Sequence, residues 1–198
     1  MKLWIICSGE PEIPRKKSYD AAELAALRQA LLEGQIAPYA GRAAHVEGWR
    51  LYVSPHAAAR QTAKALYPEL EAREEPRLGE LEVPASGGKK PLWLWRMLLR
   101  PSREDTERIE SLIGELEEAE GDAILVTHPL LIPLLLDRLR IHGHCINRGD
   151  FGAVKPLERI LITRRDMHCG GCSHNCFLSN PGCGIGRDKA ARLKISGK

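Results

Sequence analysis

The chain predicts a three-layer α/β/α sandwich built on a mainly parallel sheet. Three observations carry this. Short runs such as Leu3-Trp4-Ile5-Ile6 and Ala123-Ile124-Leu125-Val126-Thr127 are apolar at consecutive rather than alternate positions, as in strands covered on both faces. Helical patterns with recognisable starts and stops lie between these runs. Strand and helix also alternate along residues 1–164, the order of parallel units whose crossovers cover both sides of a sheet. Beyond residue 164 the composition changes, so the organisation expected is an α/β domain over residues 1–164 and a small cysteine-rich tail over 165–198.

Leu3 to Ile6 reads as the first strand, stopping in a loop at Ser8-Gly9. Asp20 and Glu23 form a capping-box pattern, Leu24, Leu27, Leu31 and Leu32 share a helical face, and Gly34 supplies a stop. Trp49 to Val53 reads as the second strand. Ser54 and Pro55 follow as N-cap and first residue of a helix running through Leu66. Residues 76–101, rich in Pro and Gly and then in Trp and Leu, suggest an insertion over one rim, in the manner of a lid. Ser102 opens an acidic helix to about Glu120, with Ile109, Leu112, Ile113 and Leu116 facing the core. After the strand 123–127, Pro129 starts a Leu-rich helix to Leu139. Phe151–Val154 and Arg159–Thr163 suggest a closing pair of strands.

At 198 residues the chain is long enough for one full core and an appendage, and 43% hydrophobic residues suits a globular protein. A net charge of +3 is too small to imply strong global attraction to nucleic acid or membrane. The opening apolar stretch is too short for a signal sequence and no segment approaches a membrane span, so a cytoplasmic protein without a membrane partner is expected.

In sheets of this kind ligands bind beyond the carboxyl ends of the strands. Three such ends carry chemistry here: Cys7-Ser8-Gly9-Glu10, Ser54-Pro55 with Arg60 in the next helix, and Thr127-His128-Pro129. Taken in order they resemble the histidine phosphatase (phosphoglycerate mutase-like) superfamily. In that family an opening strand leads into Arg-His-Gly, a Ser-Pro strand end precedes Arg-x-Thr-Ala, a Glu lies mid-chain and a later strand ends in His. The second element reads Ser54-Pro55-His56-Ala57-Ala58-Ala59-Arg60-Gln61-Thr62-Ala63 here, and the last reads Ile124-Leu125-Val126-Thr127-His128. The resemblance spans roughly residues 1 to 164. It implies a phosphate-binding role for Arg60, His128 and Gly9, and a proton-donor role for Glu80, with Glu82 or Glu10 as alternatives.

Where the family has Arg-His-Gly, this chain has Cys7-Ser8-Gly9, so the phosphoryl-accepting histidine and the first phosphate arginine are both missing. A serine hydroxyl is a poor nucleophile without a base, and none is adjacent to Ser8 in sequence. The resemblance therefore implies a pseudophosphatase that holds a phosphorylated small molecule or another anion. Two alternatives stay open: an active phosphomonoesterase using Cys7, as a thiolate, or another group, and a metal-dependent interaction module on a phosphatase scaffold. His56, His142 and His144 carry no motif support and read as surface or core residues.

The tail reads Cys169-Gly170-Gly171-Cys172-Ser173-His174-Asn175-Cys176, then Asn180-Pro181-Gly182-Cys183. Four thiols separated by turn-forming residues can wrap one tetrahedral ion, so zinc bound by Cys169, Cys172, Cys176 and Cys183 is expected. An iron-sulfur cluster is the alternative, disulfides or free thiols remain open, and His168 and His174 are spare ligands. The basic end (Arg187, Lys189, Arg192, Lys194, Lys198) raises a nucleic-acid partner, which the lack of tail aromatics other than Phe177 argues against.

Overall fold

The computed structural model describes residues 1–10, 16–38, 46–82, 87–91, 101–147 and 154–164. The cysteine tail with its proposed metal ligands lies outside the described residues, as do 92–100 of the rim insertion. Six strands form one sheet: β1 (Lys2–Cys7), β2 (Arg50–Val53), β3 (Ala72–Glu74), β4 (Ala123–Thr127), β5 (Cys145–Asn147) and β6 (Arg159–Thr163). Among the described residues four helices accompany them: α1 (Ala21–Glu33), α2 (Ala57–Leu66), α3 (Arg103–Glu118) and α4 (Leu131–Ile141). The strand order is β3-β2-β4-β1-β6-β5. The first four strands in that order are parallel, while β6 and β5 run antiparallel at one edge.

Side-chain alternation along the two central strands builds the layers. Leu3, Ile5 and Cys7 of β1, with Ala123 and Leu125 of β4, face a core completed by Ile109, Leu112 and Ile113 of α3 and Leu131 and Leu135 of α4. Ile6, Ile124 and Val126 face the other way, onto Ala59, Ala63 and Leu66 of α2. Leu3, Ile5, Ile124 and Leu125 are fully buried, each contributing about 1.5–3 kcal/mol of transfer free energy. Apolar residues at consecutive positions are thus explained by helices on both faces, as expected. Among the described residues no helix is long and apolar enough to cross a membrane.

Local signals set the helix ends. Asp20 accepts from the Glu23 amide while the Glu23 carboxylate accepts from the Asp20 amide, and the chain leaves α1 at Gly34. Ser102 and Asp105 make the same reciprocal pair at the start of α3. Gly121, at φ +96, turns the chain from α3 into β4 in a conformation that disfavours a Cβ.

Several expectations need correction. Helix α2 begins at Ala57 with His56 at its N-cap position, because Ser54 remains bonded to β4 through its amide and its hydroxyl is engaged elsewhere. Helix α4 begins at Leu131, two residues after Pro129, and the first free amides of the helix bond back to the His128 carbonyl. The strand pairing with β6 on the side away from β1 is β5, where Ile146 faces Ile162. Val154 is not in a strand, and residues 151–153 lie outside the described residues. Strand β3 has no counterpart in the sequence pattern: its three residues are exposed, and it is held by pairing with β2, Leu51 against Ala72.

Candidate functional site

Strand register builds the site. Cys7 is level with Thr127 across the β1–β4 pair, so the next residues, Ser8 and His128, leave the sheet side by side. Val53 is level with Val126, which brings Ser54 to the same end. The Ser8 amide bonds to the Thr127 carbonyl at 2.7 Å and the Ser54 amide to the Val126 carbonyl at 3.0 Å, extending the ladder one step beyond the strands.

The His128 imidazole lies between the two hydroxyls, with Nδ1 3.3 Å from Ser8 Oγ and Nε2 3.0 Å from Ser54 Oγ. Burial, followed by the positive influence of His56 and Arg28, pushes its pKa down to about 3. At neutral pH the ring is uncharged, so one nitrogen donates and the other accepts. The His56 ring lies edge-on to it, with centroids 5.2 Å apart. Burial, Arg28 and Arg60 lower the His56 pKa as well.

Glu80 comes from the segment after a single 3-10 turn, Pro76–Leu78. That segment is tied to the strand end by Thr127, whose hydroxyl donates to the Leu78 carbonyl at 2.7 Å. Arg108 of α3 fixes it from behind by donating to the Arg77 and Gly79 carbonyls. The Leu81 amide donates to Glu80 Oε1 at 3.1 Å. Burial raises the Glu80 pKa to about 7 against the opposing pull of the Leu81 and Leu130 amides and of Arg28 and Arg108. A carboxyl poised there can hold or release a proton near neutrality. Glu82 and Glu10, the alternatives to Glu80, are exposed.

The remaining sequence candidates have these positions. Gly9 donates its amide to Thr62 Oγ1 at 2.8 Å and packs against Ile36, which leaves little room for a Cβ. Cys7 is buried to 1% exposure among the core residues facing α3 and α4, and its amide and carbonyl bond to Glu158 and Leu157. Arg60 is half exposed and directs its guanidinium to the Pro55 carbonyl and to Glu74 on β3, 3.1 Å away. The described contacts of Arg60 therefore run toward the sheet edge, whereas Ser8, Ser54, His128, His56 and Glu80 are gathered at the strand ends.

Among solved structures, TTHB049 from Thermus thermophilus is 22% identical to this chain, with 81% of this chain and 92% of that one aligned and a TM-score of 0.46. A phosphoglycerate mutase from the same organism is 21% identical over 81% of this chain and 92% of its own, with a TM-score of 0.44. The ecdysone phosphate phosphatase EPPase from Bombix mori, solved in complex with tungstate, is 13% identical over 79% and 82%, with a TM-score of 0.39. No family model and no curated protein matches the sequence.

Two site residues escape the sequence reading. His56 reads there as a surface or core residue, yet it lies against His128. Its position just beyond the β2 strand end is the available signal. Arg28 leaves α1 to donate from Nη2 to the Glu80 carbonyl at 3.0 Å. It sits next to Leu27 at the margin of the buried face, where nothing in the helical pattern separates it from a solvated arginine.

Proposed function

We propose that this chain is a histidine phosphatase-like protein that binds a phosphorylated small molecule, or a comparable anion, at the Ser8–His128–Ser54 strand ends without phosphohistidine turnover. One observation supports the reading: Ser8, which the resemblance puts at the nucleophile position, has as its hydrogen-bonded partner a buried imidazole placed between two hydroxyls, whose burial holds its pKa down to about 3. So weak a base draws little proton density from a hydroxyl at neutral pH. His128 itself has both ring nitrogens hydrogen-bonded, so the single lone pair of the neutral ring is engaged by a serine hydroxyl. The Cys7 thiol is enclosed by the hydrophobic core, an environment that disfavours a thiolate. One serine hydroxyl, the His56 imidazole and a carboxyl able to retain its proton remain as hydrogen-bond donors, a set suited to holding an anion.

The test compares phosphomonoester hydrolysis by the natural protein with that of a Ser8→His variant, which leaves the core residue Cys7 in place, beside thermal protection by inorganic phosphate. The expected outcome is background hydrolysis by the natural protein, measurable hydrolysis by the Ser8→His variant, and a phosphate-dependent rise in Tm for the natural protein. Hydrolysis by the natural protein that Cys7→Ala or Ser8→Ala abolishes would show that the nucleophile assignment is wrong.

A further inference from the structure

We infer that Arg28, delivered from α1 rather than from a strand-end motif, is the arginine that grips the anion in this pocket, with His56 as its neighbouring donor. This inference rests on the anion-binding reading above and adds the residue that supplies the charge.

The arginines around the strand ends differ in what holds them. Arg60 is engaged by Glu74 and the Pro55 carbonyl. Arg77 is held by Glu75 and Glu115 in paired contacts of 2.6–2.8 Å. Arg108 is committed to Asp105 and to the Arg77 and Gly79 carbonyls. Each of these three has its charge balanced by a carboxylate. Arg28 differs: its hydrogen bond runs to a carbonyl, that of Glu80, and its Nε is buried with no partner among the described residues.

A buried guanidinium N–H without an acceptor leaves the desolvation of the donor uncompensated; Arg50 and Arg138 also have a buried, unpartnered Nε among the described residues, but Arg138 is paired with Glu110 and Asp137, and Arg50 lies at the opposite end of β2 from Ser54. At Arg28 an oxyanion supplies the missing acceptor. The Glu80 carbonyl holds one edge of the fork in place, so the guanidinium is oriented before a ligand arrives and less side-chain freedom is lost on binding. Arg28 also lies close enough to His56, His128 and Glu80 for its charge to bear on the titration of all three. His56 lies against His128 and forms no side-chain hydrogen bond among the described residues. Together these groups describe a site for a tetrahedral oxyanion such as a phosphate monoester: one guanidinium with no carboxylate hydrogen-bonded to it, one available imidazole edge, and the hydroxyl of whichever serine accepts from His128 and keeps its own proton free to donate. Arg28 binds the ligand and takes no part in bond making.

The experiment titrates inorganic phosphate by calorimetry into the natural full-length protein and into Arg28→Met, Arg28→Lys and Arg60→Met variants, with circular dichroism as the folding control. Arg28→Met should weaken phosphate binding at least about tenfold, the loss expected for a charge-assisted fork. Arg28→Lys, which keeps the charge and loses the fork, should fall between, and Arg60→Met should stay within about twofold of the natural protein. If the natural protein binds phosphate and Arg28→Lys and Arg28→Met bind it equally well, the inference is overturned while the anion-binding reading stands. A loss confined to Arg60→Met overturns it in favour of the motif-based assignment. Absence of phosphate binding by the natural protein overturns both.

Discussion

The molecule holds two histidine clusters that behave in opposite ways. At the strand ends, His128 touches two hydroxyls and no carboxylate, and burial beside His56 and Arg28 holds its pKa near 3. On the far side of the α3–α4 layer, His142 contacts Glu110 at 2.6 Å and Glu117 at 3.1 Å, and its pKa rises, chiefly through the hydrogen bond to Glu110. Glu117, which burial alone would push up, is held below its ordinary value by His144 and His142. The second cluster pairs its carboxylates with His142, His144 and Arg138, although His144 Nδ1 and Arg138 Nε have no partner among the described residues, and it joins α3 to the end of α4 and the approach to β5. The first holds an imidazole, a carboxyl and a guanidinium with no ion pair made among them. Paired groups staple a structure, whereas groups kept unpaired at a structural cost are what a ligand site requires.

The sharpest way to break this comparison is to titrate stability. His128 has a folded pKa of about 3 and an unfolded value near 6.5. Its contribution is therefore present above pH 6.5 and is lost as pH falls toward 3, by an amount on the order of 5 kcal/mol at most. Urea unfolding of the natural protein and of His128→Gln should show the variant losing much less stability across that window. Parallel curves would mean that His128 is not held neutral.

Glu80 gives the next largest effect and the opposite sign. Its folded pKa of about 7 lies above the ordinary 4.5, so its contribution is present below pH 4.5 and is lost as pH rises through 7. Glu80→Gln should thus gain about 3 kcal/mol relative to the natural protein between pH 4.5 and pH 8.5. Between pH 4.5 and 6.5 the two groups oppose one another, and only the single variants reveal either. An unchanged difference between Glu80→Gln and the natural protein across pH would place the carboxyl in solvent.

How far the sequence reveals this arrangement depends on where each residue's behaviour is decided. Strands β1 and β4 and the caps of α1 and α3 are legible because apolar runs and Ser/Asp–Glu/Asp pairs act locally. Strand β3 is not, since Ala72–Glu74 buries no side chain and exists through backbone pairing with a neighbour 21 positions earlier, Leu51. Ser8 and His128 can be marked as strand-end residues from the chain alone, but their contact depends on the β1–β4 register, which brings together positions 120 residues apart. Motif spacing assigns Arg60 to the phosphate; the contacts that its side chain makes among the described residues, with the Pro55 carbonyl and with Glu74 on the unforeseen strand, are not readable from that spacing. Arg28 is missed for the complementary reason: its hydrogen-bond partner is a carbonyl 52 residues away.

The smallest expected effect concerns the paired cluster and sharpens the contrast from its other side. His142 has a raised pKa, so its contribution is present below 6.5 and is lost as pH rises through its folded value. Glu110 and Glu117 face it, and Arg138, 3.6 Å from Glu110, competes for the same carboxylate. With that competition and partial exposure to solvent, His142→Gln should cost about 1 kcal/mol or less at pH 5.5 and almost nothing at pH 9. Proton NMR of the His142 ring should give a midpoint above 6.5 that falls in Glu110→Gln. The His128 ring should show no titration over the same range. If His142 instead titrates below 6.5, the carboxylates do not outweigh its burial, and the distinction between stapling and ligand-ready histidines in this protein fails at its simpler end.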